Sequence, residues 1–123
     1  MSYLDRSPDS GAARRRYPRL DVDARVHTHD VTLALDVEMR DVSFGGFQLV
    51  SSVPFVPGDV HVFRVETPDG RICTLRARVM HCRSSEEEGE QFRIGCQGTG
   101  DSATAEGLTA VIDSLTSELL FEN

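Results

Sequence analysis

From Leu20 to Cys96, apolar and polar residues alternate with period two in short runs separated by turn-forming clusters, the pattern of half-buried β-strands. Leu20, Val22, Ala24 and Val26 alternate with Asp21, Asp23 and Arg25, which predicts a first strand with one wet face. His29-Asp30 predicts a turn, and Val31, Leu33, Leu35, Val37 and Met39 then alternate with Thr32, Ala34, Asp36, Glu38 and Arg40. Continuing that parity puts Asp41 and Ser43 on the same face as the apolar set, at a strand end where the interior opens to solvent. Gly45-Gly46 permits a sharp change of backbone direction, and Phe47 to Val50 start another strand. Pro54 and Pro57-Gly58-Asp59 mark a loop, Val60 to Glu66 a strand, and Pro68-Asp69-Gly70 a turn. Along Arg71 to Arg83, the set Cys73, Leu75, Ala77, Val79 and His81 falls on one face; Thr74, Arg76, Arg78, Met80 and Cys82 fall on the other. The acidic run Glu86 to Glu90 predicts a solvated hairpin loop, and Phe92, Ile94 and Cys96 complete the last strand.

After Gly98-Thr99-Gly100 the period lengthens. Leu108, Val111, Ile112, Leu115 and Leu119 follow helical spacing over residues 103–121. Asp101 or Ser102 is the candidate N-cap, and Glu106 suits the positive end of the helix dipole. About six short strands followed by one helix predict a mainly β fold, a small six-stranded antiparallel barrel with a C-terminal α-helix. The expected organisation is a flexible tail over 1–13 and a single domain over 14–121, with an arginine arm at 14–19, the barrel at 20–98 and the helix at 102–121.

Composition narrows the function. The chain of 123 residues carries a net charge of −7, which argues against a general nucleic-acid binder. No apolar run is long enough to span a bilayer, and Met1 to Arg6 lack a signal-type apolar stretch, so the expectation is a cytoplasmic protein without membrane insertion. Cys73, Cys82 and Cys96 form no CxxC pair and read as small buried hydrophobes. His27 and His29 share a strand face with no third metal ligand indicated by spacing; His61 and His81 are isolated. Ser43 lacks the context of a nucleophile elbow. The expectation is therefore no catalysis, no metal and no cofactor.

Two stretches stand out. Arg14-Arg15-Arg16-Tyr17-Pro18-Arg19 places four guanidinium groups in six residues, and Asp41-Val42-Ser43-Phe44-Gly45-Gly46 places a carboxylate, a hydroxyl and a glycine pair at a strand junction. Each alone is a common feature of arms or turns. In this order they resemble the signature of the PilZ domain family, an RxxxR segment followed by D/NxSxxG. Arg15, Arg16 and Arg19 match the first pattern, and Asp41, Ser43 and Gly46 the second, over a resemblance covering about residues 14–120. The family's last strand commonly ends in a glycine, an apolar residue and an aromatic one; Gly95-Cys96-Gln97 lacks the aromatic.

The resemblance implies a receptor for cyclic di-GMP. The chemistry of the residues agrees with it: an arginine fork matches phosphate oxygens and the O6 and N7 acceptors of guanine, while a carboxylate accepts from guanine N–H groups. Carried over, Arg15, Arg16 and Arg19 would grip phosphates and guanine edges, Asp41 and Ser43 would contact guanine, and Gly46, with Gly45 beside it, would keep the turn open to the ligand. Arg14 is a further candidate, at a position associated in the family with the binding of one or two ligand molecules. The implied mechanism is an arginine arm that orders over the barrel on binding and signals to an unidentified protein partner, with motility, surface polysaccharide, biofilm or virulence as the output. The alternative is a non-binding adaptor that docks a pilus or motility protein.

Overall fold

The computed structural model describes residues 18–85 and 91–121, with side chains through 117. Among these described residues, seven strands and one helix follow in order: β1 (Leu20–Asp21), β2 (His27–Asp30), β3 (Leu35–Ser43), β4 (Gly46–Ser51), β5 (Val60–Glu66), β6 (Ile72–Ser85), β7 (Gln91–Gly98) and α1 (Ser102–Phe121). All pairings are antiparallel. β3, β2, β5, β6, β7 and β4 neighbour one another in that order, and a β3–β4 hairpin closes the six into a barrel. The short β1 adds to β3 beyond the end of β2, pairing Asp21 with Asp41. The expected mainly β barrel with a C-terminal helix is what the chain forms.

The inward faces supply the core. Cys73, Leu75, Ala77 and Val79 on β6 alternate with exposed residues, and Phe63, Val65, Met39, Val42, Phe47, Leu49, Ile94 and Cys96 meet them inside. Phe47 and Phe63 pack edge to face, their ring centroids 5.2 Å apart. From α1, Leu108, Val111 and Leu115 join the same cluster, so the helix covers the core on the side of β6 and β3. Its approach is close: a Cβ on Gly107 would lie 2.6 Å from a methyl of Leu75. Asp101 is the N-cap, its carboxylate accepting from the Thr104 N–H at 3.0 Å. Hydrogen bonds from Thr99 and Thr104 hold that carboxyl down at about 2. Glu106 lies beyond the first turn, which contains no acidic residue, so Asp101 supplies the negative charge at the helix start.

Several strand boundaries depart from the alternation. The expected strand from Leu20 to Val26 stops after two residues, because Asp23 and Ala24 take left-handed φ values of 56° and 63°. Arg25 closes that turn, its side chain donating to the carbonyls of Val22 and Asp21. His29-Asp30 is strand, not turn. The Asp30 carboxylate instead initiates the following turn, accepting from the Leu33 N–H at 2.9 Å, and β3 begins only at Leu35. Val31 and Leu33, expected on an apolar strand face, are therefore exposed turn residues.

Asp30 also points into the barrel. It is fully buried and lies 2.7 Å from His61 Nδ1, whose ring stacks on Phe55 at 4.6 Å. Removing one partner of such a pair leaves the other buried without a hydrogen bond. We expect Asp30→Ala to lower unfolding stability in urea by about 2–4 kcal/mol. A midpoint unchanged from the wild type would show that the pair does not anchor β2 to β5.

Candidate functional site

The two motif stretches meet. Arg19, the last residue of the arginine segment, donates through one terminal nitrogen to both oxygens of Asp41, at 3.2 and 3.4 Å. β1 follows directly and pairs with β3 at Asp21–Asp41, which holds Arg19 beside its partner. Arg14, Arg15 and Arg16 lie outside the described residues, as does the acidic run at 86–90.

Asp41 does not face the apolar set as strict alternation implies. The β3–β4 register shifts between Met39 and Asp41, with Arg40 as the extra residue of a bulge. Met39 and Val42 both point inward and are buried, so Asp41 and Ser43 are turned to the outside of the barrel. A second bulge does the same on β6, where the register shifts between Val79 and His81. His81 turns outward with Met80, and Cys82 turns inward to pack against the core, reversing the faces expected of His81 and Cys82.

These shifts assemble one outer row. Asp41 is opposite Gln48, Gln48 opposite Gly95, and Gly95 opposite His81, across the adjoining strands β3, β4, β7 and β6. Residues directly opposite on neighbouring strands share a face. The next row reads Ser43, Gly46, Gln97 and Arg78. Arg83 and Arg93, both exposed and directly opposite each other, border the face on its other side. Like charges so placed repel, which makes this edge receptive to an anion.

The glycines have packing reasons. A Cβ on Gly46 would fall 2.1 Å from the carbonyl oxygen of Cys96, and one on Gly95 would fall 2.2 Å from His81 Nε2. Gly95 is thus the flat floor on which the His81 ring lies. Ser43 Oγ accepts from the Gly45 N–H at 3.2 Å and so secures the Phe44-Gly45 turn between β3 and β4. Gly45 in turn offers its carbonyl to the Gly98 N–H at 2.9 Å, tying the hairpin to the end of β7.

His81 Nδ1 is buried and has no hydrogen-bond partner among the described residues. Burial pushes its pKa below the ordinary histidine value, and the nearby Arg83 and Arg19 push the same way. Gln48, Gly95 and His81 were not among the site residues expected from the sequence; only the register, with both bulges known, brings them into one row with Asp41. His27 and His29 share the outer face of β2 and both meet Asp36, at 3.5 and 2.8 Å. That pairing, chiefly the His29 hydrogen bond, lowers the Asp36 pKa. Among the described residues, no group of three or more His, Cys, Asp or Glu side chains is placed to hold a metal, and no helix is long and apolar enough to cross a membrane.

A closed antiparallel barrel with a C-terminal helix, and an outer face where Arg19 meets Asp41 above close-packed glycines, defines a class of small β-barrel domains. Within that class the family model for the PilZ domain matches residues 13–113. The chain belongs to the PilZ domain family. Among solved structures, it is similar to the inhibitor of motility MotI/DgrA from Bacillus subtilis, at 17% identity and a TM-score of 0.66, over 86% of this chain and 51% of that one. The complex of MrkH with c-di-GMP from K. pneumonia gives 18% identity and a TM-score of 0.66, over 89% of this chain and 56% of that one. The PilZ domain of YcgR from Escherichia coli, solved with c-di-GMP, gives 16% identity and a TM-score of 0.65, over 89% of this chain and 96% of that one. The chain therefore spans about half the length of MotI/DgrA and of MrkH, and nearly all of the isolated YcgR domain. None of the curated proteins matches it.

Gly46 offers a direct check of this geometry. We expect Gly46→Ala to force β4 away from β7, lowering the thermal midpoint by about 5 °C or more, in line with a cost above about 1 kcal/mol for a small domain. An unchanged midpoint by differential scanning calorimetry would contradict the close approach.

Proposed function

We propose that this domain is a receptor for cyclic di-GMP, and that the ligand lies on the outer face around Arg19, Asp41, Ser43, Gly46 and the β7 floor. The observation that carries the reading is the Arg19–Asp41 contact at 3.2 Å, which joins the two motif segments on one face. An exposed ion pair of this kind contributes little to stability, typically below about 1 kcal/mol. Its value lies in position: it keeps the end of the arginine segment beside the carboxylate, so that a guanine edge and a phosphate meet both signs of charge together.

In this mechanism Arg14, Arg15 and Arg16 close over the face once two phosphodiester charges offset their mutual repulsion. Asp41 accepts from guanine N–H groups, and Arg19 redirects part of its fork from Asp41 to the ligand. The chemistry is recognition rather than bond making. The altered arm and face are then what a protein partner reads. c-di-GMP in the solved relatives MrkH and YcgR supports the ligand assignment, and MotI/DgrA, named an inhibitor of motility, supports a motility-related output.

Isothermal titration tests this with cyclic di-GMP as titrant and GTP and cyclic di-AMP as controls. We expect saturable binding of cyclic di-GMP alone, weakening as salt is added. Arg19→Ala and Asp41→Ala should each lose tenfold or more in affinity, about 1.4 kcal/mol or greater, while circular dichroism stays that of the wild type. Absence of binding by the folded wild-type protein would move it to the ligand-independent docking class.

A further inference from the structure

The bulge at Met80 delivers a histidine to a face that already carries Asp41, Gln48 and a glycine floor. We propose that His81 contacts the bound ligand and takes up a proton as the ligand binds, so that this receptor reads pH together with its anionic ligand. The proposal rests on the outer face being the site of a guanine dinucleotide with two phosphodiester charges.

The geometry gives His81 an unusual position. Its ring rests on Gly95, where any side chain would displace it, and its Nδ1 is buried without a hydrogen-bond partner among the described residues. The described charges around it come from four elements. Arg83 lies two residues along on β6 with Arg93 opposite on β7, and Arg19 reaches in from the segment before β1. Asp41 on β3 is engaged by Arg19, and Gln48 on β4 and Gly95 on β7 bring no charge. Burial first, and the Arg83 and Arg19 charges with it, hold the ring neutral in the free protein.

A ligand with two anionic phosphodiesters reverses that balance. Its oxygens draw the arginine charge away from the ring and offer His81 an acceptor, so the bound state favours the imidazolium. The histidine pKa is then higher in the complex than in the free protein. By linkage, binding is tightest below the free-state pKa and weakens as pH rises through the bound-state pKa. Phosphodiesters and guanine do not titrate in that window. The other three histidines are engaged elsewhere: His27 and His29 with Asp36 on the β2–β3 surface, and His61 with Asp30 in the core.

The test is titration of cyclic di-GMP into the full chain at about pH 6 and about pH 8, each in two buffers of different ionisation heat. Wild type should bind about fivefold tighter at the lower pH, with a buffer-dependent heat showing proton uptake. His81→Gln should lose that dependence and bind at both pH values no more tightly than wild type does at the higher one. Imidazole nitrogen shifts of the wild type, which need no variant, should move His81 towards the protonated form when ligand is added near neutral pH. Binding with no pH dependence, or with the same dependence in His81→Gln, overturns the proposal and leaves the receptor reading standing. No binding at either pH overturns both.

Discussion

The bulge at Arg40 is the constraint on which the rest depends. Strict alternation along β3 would bury Asp41 and Ser43 beside Met39 in an apolar interior, where an unpaired carboxylate costs several kcal/mol, on the order of a domain's whole stability. One extra residue lets Met39 and Val42 both face the core and turns Asp41 and Ser43 to the surface. The bulge at Met80 then repeats the device on β6. Because β3, β4, β7 and β6 are consecutive neighbours, the two displaced residues, Asp41 and His81, end in the same outer row. The fold thus obtains a polar face without giving up its core.

Core and face are coupled through backbone approach. Gly46 lets β4 press against the Cys96 carbonyl, whose side chain lies inside the barrel with its thiol pushed up to about 12 by burial. Such a thiol is inert as a nucleophile or metal ligand, which suits its place among Phe47 and Val79. On the other side the buried Asp30–His61 pair joins β2 to β5 and leaves the Phe55 ring stacked across it. The outer face therefore sits on strands fixed from beneath. That is the condition for reading a ligand by geometry rather than by charge alone.

Much of this was legible in the chain. Alternation over Val60 to Glu66 and over Cys73 to Val79 located strands and their faces, because those residues pair without irregularity. The helix followed from Leu108, Val111 and Leu115, and the two motif stretches implied a meeting that Arg19 and Asp41 make. What alternation could not supply was parity beyond a bulge. Arg40 and Met80 carry no sequence mark of an extra residue, and a shift of one reverses every later face. Asp23 and Ala24 likewise took a left-handed conformation that nothing in a period-two pattern signals. Asp30 was misplaced for a different reason: its turn-forming carboxylate acts on the residues after it, while its own backbone stays in the strand.

The proposed site of an anionic guanine dinucleotide is the outer face of β3, β4, β7 and β6. Amide chemical-shift mapping during a titration with cyclic di-GMP tests it residue by residue. The largest shifts are expected on Arg19, Asp41, Ser43, Gly46, Gln48 and Gly95, with α1 little changed. Shifts concentrated on α1 or on the β2–β5 surface, with those amides unmoved, would contradict it.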